Sequence, residues 1–114
     1  MASLPRTYES FSQRYRKVWE AYDRLANACH QAGPVNEKNR ALVKLAISIG
    51  ARMEGAVHSH TRRSLAAGAT PREIRHVVLL GVTTIGFPSS MAAFSWVEDV
   101  LKKRSTGRKK RRSR

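Results

Sequence analysis

The 114-residue sequence has one cysteine and no long apolar run. A single cysteine, Cys29, cannot form an intrachain disulfide, so we expect a reducing compartment. The longest uninterrupted apolar run extends from Val77 to Val82, far too short to cross a bilayer, and the N-terminus shows no apolar signal-peptide core. These absences predict a cytoplasmic protein that does not insert into a membrane.

Acidic side chains are few, eight against 22 Lys and Arg, and the net charge is +14. Residues 102–114, KKRSTGRKKRRSR, hold nine of the basic residues and no acid, so the remaining chain holds thirteen basic and eight acidic residues, a net of +5. Most of the net positive charge therefore lies in the C-terminal segment and not in the predicted domain. This weakens the case for a nucleic-acid-binding fold. We expect a domain over residues 1–101 and a basic disordered tail over residues 102–114 with weak, salt-dependent nucleic-acid contacts.

Alternation with period two is also absent, and the longer stretches show helical spacing instead. Residues 7–32 have the apolar stripe of one amphipathic helix, which suits packing on its own core or on a partner chain. Gly33-Pro34 ends this helix, and Asn36 is a good N-cap for a second helix over residues 37–51. The pattern predicts a single-domain all-α bundle of about five helices.

Two further helices are predicted from clear boundary signals. Thr70, Pro71 and Glu73 form the pattern of a capping box, and the helix that they begin is apolar almost all round from Val77 to Val82. We expect this helix to lie deep in the bundle. Gly86-Phe87-Pro88 ends it, and a last helix follows up to Leu101.

The stretch over residues 53–68, MEGAVHSHTRRSLAAG, has the greatest concentration of groups that titrate near neutral pH. It reads as one helix from about Glu54, with Gly68 suited to a left-handed C-terminal cap. Glu54 and His58 are four apart and share a face, whereas His60 lies about 200° round from His58. The two histidines therefore cannot bind one metal ion from this helix alone. Glu54 and His58 could supply two ligands, but a zinc or iron site needs a third from another helix or another subunit. We expect no metal site and no cofactor.

The segments NEKNRALVKLAISIGA, EGAVHSHTRRSLAAGATPREI and TTIGFPSSMAAFSWVEDVL together resemble the carboxymuconolactone decarboxylase and alkylhydroperoxidase D-like superfamily. The resemblance covers residues 36 to about 101 and implies an all-helical domain that forms trimers or hexamers. It also places His60 on the family's histidine. The two positions of the family's C-x-x-C pair fall on Met53 and Ala56, and its earlier acidic residue falls at about Ala41.

These departures exclude thiol peroxidase chemistry at this site, because neither Met53 nor Ala56 supplies a thiolate. The decarboxylase branch works without the cysteine pair, and the resemblance then implies lyase-like acid–base chemistry on a small anionic lactone or carbonyl substrate. His60 would be the general acid or base, with Glu54 or His58 as helper. The alternative makes Glu54 and His58 an exposed helix pair and His60 a hydrogen-bonded core histidine.

A second class of function also fits the sequence. A non-catalytic helical homo-oligomer that binds partners or polyanions through residues 102–114 would need neither the cysteine pair nor an acid at Ala41. Such an oligomer carries one basic tail per subunit, so weak contacts of the individual tails with a polyanion add up to tighter binding. The two interpretations differ in what they require of His60, an accessible imidazole or a buried structural one.

Overall fold

The computed structural model describes the backbone of residues 6–112 and the side chains of residues 6–104. Over that range the chain is helical and contains no strand, which confirms the all-α class. There are six helices, one more than the sequence predicted, and their bounds are α1 Arg6–Arg14, α2 Arg16–Gln31, α3 Glu37–Gly50, α4 Glu54–Ala66, α5 Pro71–Gly81 and α6 Phe87–Arg112.

The chain divides into two units, Met1–Pro34 and Val35–Arg114. The boundary coincides with the Gly33-Pro34 break, where proline cannot continue a helix. The first unit holds the first two helices and the second unit holds the other four. The domain expected over residues 1–101 stays a prediction.

In the first unit, the single helix expected over residues 7–32 is divided at Tyr15, whose backbone adopts φ −124° and ψ 56°. Hydrogen bonds continue on either side, since Tyr15 N–H donates to the Phe11 carbonyl at 2.8 Å and Trp19 N–H donates to the Tyr15 carbonyl at 2.9 Å. The Trp19 ring lies 6.4 Å from Tyr8 and 6.3 Å from Phe11, centroid to centroid. A straight helix would separate residues 8 and 19 by about 16 Å. The chain is therefore bent between α1 and α2, and the bend brings these aromatic rings together.

In the second unit, the four helices share one apolar core, with at least one member from each helix. The sequence stripe of α3 supplies Leu45 and Ile49, which are buried, while Val43 of the same helix is 51% exposed. The central residue of α4 is Val57, which is fully buried. The remaining core residues are Ala69, Ile74, Val78, Ala93, Val97 and Leu101.

The helix boundaries of this unit follow local capping chemistry, as predicted. The Asn36 side chain accepts a hydrogen bond from the Asn39 N–H at 2.9 Å. At α5 the capping box is complete, because the Thr70 hydroxyl accepts from the Glu73 N–H at 3.1 Å and the Glu73 carboxylate accepts from the Thr70 N–H at 2.9 Å. Each pair satisfies backbone donors that a helix start leaves open.

Two expectations about helix surroundings differ from the structure. The apolar segment of α5 does not lie deep on all sides, since Val78 is buried but Leu79 and Leu80 are 64% and 57% exposed. Helix α6 does not end at Leu101 but continues to Arg112, into the segment expected to be a disordered tail. Lys and Arg favour helix, and no proline follows Leu101 to stop it. None of the described helices combines the length and apolar content that crossing a bilayer requires.

Candidate functional site

Helix α4 presents the candidate residues, and its C-terminal end is fixed by a Schellman motif. Gly68 adopts φ +97°, its N–H donates to the Leu65 carbonyl at 3.1 Å, and the Ala69 N–H donates to the Ser64 carbonyl at 2.9 Å. The left-handed conformation suits glycine, as the sequence predicted. Ala69 is thereby placed in the core, and the end of α4 cannot rotate freely.

The buried side of α4 is built from Val57, Thr61 and Ser64. The Thr61 hydroxyl donates to the Val57 carbonyl, and the Ser64 hydroxyl donates to the His60 carbonyl, both at 2.7 Å. Each buried hydroxyl is therefore satisfied within its own helix and needs no partner elsewhere. This packing sets the rotation of α4 and hence the directions of its two histidines.

His58 faces α6. Its Nε2 lies 3.4 Å from Oδ2 of Asp99, a long contact between side chains that are 25% and 58% exposed. An exposed pair of this kind contributes little to stability, at most about 1 kcal/mol. The contact instead orients the His58 ring, because a carboxylate beside one ring nitrogen fixes the direction of the imidazole.

His60 is half-buried and faces the other way, towards α3. Burial lowers its pKa below the ordinary value of 6.5, and the positive charges of Arg63 on α4 and Lys44 on α3 lower it further. The imidazole is therefore neutral at pH 7. Its Nδ1 is buried and has no hydrogen-bond partner among the described residues.

The unpartnered Nδ1 is unusual, since leaving a buried polar atom unsatisfied costs about 1–3 kcal/mol. A core histidine held by hydrogen bonds, which was the structural alternative for His60, would not show it. A neutral imidazole is able to accept a proton near neutral pH where a ring nitrogen is accessible. The two neighbouring cations add a positive potential that attracts an anion.

Glu54, the third candidate, begins α4 and is exposed. Within the described part of the chain it makes no hydrogen bond or ion pair, so the expected pairing with His58 on the same face is not formed. A carboxylate in the first turn of a helix is favourable beside the positive end of the helix dipole, so Glu54 also stabilises the start of α4.

The positions of the family's thiols lie at the start of the same helix. Met53 is the N-cap of α4 and is 58% exposed, and Ala56 is half-buried one turn later. Cys29 is exposed on α2. Among the side chains of residues 6–104, no three His, Cys, Asp or Glu are placed to bind one metal ion.

A groove of about 720 Å³ lies between α5 and α6. None of Glu54, His58 and His60 lines it. Its polar rim includes Arg75, which forms two hydrogen bonds with the Glu98 carboxylate at 2.7 and 3.2 Å. The groove is lined by Arg72, Glu73, Arg75, His76, Val78, Leu79, Val82, Met91 and Phe94.

Sequence reasoning identified the three candidates on α4 but missed the groups that surround them. Asp99 is 41 positions from His58 and Lys44 is 16 positions from His60, so their proximity depends on how α6 and α3 pack on α4. The proximity of Arg63 to His60 could be predicted from the sequence, because residues three apart in a helix share a face.

Comparison with known proteins gives one match. The model of the carboxymuconolactone decarboxylase family matches residues 16–99, a range that begins at the start of α2 and ends within α6. No curated protein and no solved structure shows significant similarity to this chain.

Proposed function

The chain belongs to the carboxymuconolactone decarboxylase family, and we propose that it catalyses acid–base chemistry on a small anionic lactone or carbonyl substrate with His60 as the general acid or base. The observation that supports this proposal most is the half-buried imidazole of His60 beside the positive charges of Lys44 and Arg63. The family match covers the helix that holds His60.

The residues around His60 suit that role. A base must be neutral before it accepts a proton, and the lowered pKa keeps the imidazole neutral at pH 7. Lys44 and Arg63 lower that pKa and also favour an anionic substrate, whose charge they offset. Because His60 is only half-buried, a small molecule is able to approach it.

His58 and Glu54 are proposed as helpers rather than as the principal base. His58 is oriented by Asp99 on the face opposite His60, and Glu54 lies one turn earlier on that face. Because both lie on the face opposite His60, a small substrate held by His60 is less able to contact them. Their substitution should therefore lower activity less than substitution of His60.

The test compares wild type, His60→Gln and the control His76→Gln with a carboxymuconolactone as substrate. We expect decarboxylation by wild type, a loss of about 10²- to 10⁴-fold in kcat/KM for His60→Gln, and no change for the control. The wild-type kcat/KM should rise with pH to a plateau, with a midpoint below 6.5 that reports the neutral imidazole. A His60→Gln variant with full activity would refute the role of His60.

The absence of the thiol pair favours a second candidate, a non-catalytic helical homo-oligomer that binds partners or polyanions through residues 102–114. Met53 and Ala56 leave the family's redox chemistry without its reactive groups, and the nine basic residues of that segment follow Leu101, the last buried residue among residues 6–104. If wild type turns over no lactone and binds heparin or nucleic acid with a steep salt dependence, this candidate replaces the first.

Under either candidate we propose a homo-oligomer, a trimer or hexamer by family resemblance. Large apolar side chains are exposed in both units of the chain, among them Leu25 at 59%, Ile47 at 65% and Leu79 at 64%. Exposed apolar surface of this kind is typical of an interaction site. Light scattering at micromolar concentration should give a multiple of 12.8 kDa, and a mass of one chain would contradict the proposal.

A further inference from the structure

The groove between α5 and α6 has a polar end and an apolar end. Its polar lining residues all come from the first half of α5, and its apolar ones come from the second half of that helix, its C-cap and the first third of α6. Val78 is buried at its base, whereas Met91 and Phe94 on the α6 side are 39% and 40% exposed. Apolar side chains are therefore open to a molecule that enters the groove.

Contacts between the two helices hold this groove at a fixed width. Towards the turn that joins them, a Cβ atom on Gly81 would lie 3.1 Å from the Ser90 hydroxyl oxygen, so α5 and α6 approach closely there. Towards the start of α5, the Arg75 guanidinium forms two hydrogen bonds with the Glu98 carboxylate of α6. Sites for small molecules are largely preformed and have volumes of roughly 300–1,000 Å³, a range that includes this groove.

The charged residues at the polar end leave one positive charge unpaired. Lys38 Nζ donates to the Glu73 carboxylate at 2.9 Å, and Arg75 has its own carboxylate partner on α6. Arg72 is exposed and forms no hydrogen bond or ion pair with any other residue in the range 6–104. Its guanidinium therefore keeps its planar set of donors for a bound carboxylate, the anion that this fork matches in geometry.

We propose that this groove binds a free medium-chain fatty acid, with the carboxylate on the Arg72 guanidinium and the alkyl chain along Leu79 and Phe94. The unpaired cation at one end and the apolar walls at the other require a ligand with the same polarity. Arg72 and Val82 are about 15 Å apart along α5, so the ligand needs an extended apolar chain behind its carboxylate. The small anionic lactone proposed as the substrate of His60 has no such chain. The groove is therefore a second site, beyond the proposed function.

Methyl NMR on the full chain tests this site, because of the two methionines that the structure describes Met91 lines the groove and Met53 does not. With the methionine methyls labelled, decanoate kept below its micelle concentration should shift the Met91 signal until the site is saturated. The signal of Met53, at the N-cap of α4, should stay in place and is the internal control. Decanol, which has the same chain length without the charge, should bind about tenfold more weakly.

Two variants separate the role of Arg72 from a general effect of positive charge. Arg72→Gln changes an exposed side chain without a partner among residues 6–104, so the fold should be kept, and decanoate should bind about tenfold more weakly. The affinity for decanol should not change. The matched control Arg104→Gln removes a positive charge from an exposed position of α6 outside the groove, and it should keep the wild-type affinity for both ligands.

Several outcomes would overturn the inference. A Met91 signal that decanoate leaves unchanged would refute the site, and a lower mass of Leu79→Glu in light scattering would then show that the groove is a contact between copies of the chain. Equal shifts of Met53 and Met91 would show unspecific binding of an amphiphile. Full affinity for decanoate in Arg72→Gln would refute the carboxylate contact. None of these measurements involves turnover of a lactone, so failure here is distinct from failure of the function proposed for His60.

Discussion

Replacing His60 by glutamine should flatten the pH dependence of the protein's stability on the acidic side of neutrality. Burial and the charges of Arg63 and Lys44 lower the pKa of His60 in the folded chain below 6.5. The unfolded chain has no such environment, so as the pH falls through about 6.5 it takes up a proton that the folded chain does not. The wild type should therefore lose free energy of unfolding as the pH falls below about 6.5, until the pH also passes below the pKa of the folded state.

The size of this effect has a ceiling set by one proton, about 1.4 kcal/mol per pH unit. Because His60 is half-buried rather than enclosed, solvent screening should keep the observed slope well below that ceiling. Above about pH 7.5 both states are neutral and the contribution of His60 to the slope disappears. Glutamine does not titrate, so His60→Gln removes this contribution at every pH.

The assay is urea unfolding followed by circular dichroism at several pH values between about 5.5 and 7.5. It is run on wild type, His60→Gln and His76→Gln, an exposed histidine outside α4 that serves as the matched control. The pH dependence of the urea midpoint should be weaker in His60→Gln than in wild type and unchanged in His76→Gln. Equal slopes in wild type and His60→Gln would refute the assignment of a lowered pKa to His60.

Two further predictions concern chemistry and charge. Deleting residues 102–114 should abolish most binding to heparin or nucleic acid and leave the helices over residues 35–101 folded, because it takes the net charge from +14 to +5 and removes none of the core residues found among residues 6–104. A salt series with full-length and truncated protein measures this, and equal binding by both would place the polyanion site on the helices. No turnover of an organic hydroperoxide with a dithiol reductant is expected, since Met53 and Ala56 supply no thiol. Turnover that survives Cys29→Ser would show that this assignment of positions is wrong.

The features that the sequence predicted correctly are those that depend on neighbouring residues. The N-cap at Asn36, the capping box of Thr70 and Glu73, and the left-handed cap at Gly68 are all formed within four residues of chain. Local hydrogen bonds and one backbone conformation specify each of them, so their residue types are sufficient evidence. The end of α4 followed from the signal at Gly68, and its start was expected near Glu54, as found.

The features that the sequence missed depend on packing between distant residues. The bend at Tyr15 accompanies contacts of Trp19 with Tyr8 and Phe11, and helical periodicity alone predicts a straight helix there. The exposure of Leu79 was missed for a similar reason, because apolar periodicity shows which faces could be buried but not which of them are covered. The pairing of His58 with Asp99 required knowledge of how α4 and α6 meet.

The most direct test of the account is an NMR titration of the His60 imidazole in wild type, Lys44→Gln and Arg63→Gln. The account predicts a pKa below 6.5 in wild type, because burial and both cations oppose protonation, and a higher pKa in each variant, because one positive charge is removed. Adding a carboxymuconolactone should shift the His60 resonances and raise the pKa, since a bound anion favours the imidazolium. A wild-type pKa at or above 6.5, with His60 resonances that the lactone leaves unchanged, would contradict the claim that His60 is a neutral base in an anion-binding site.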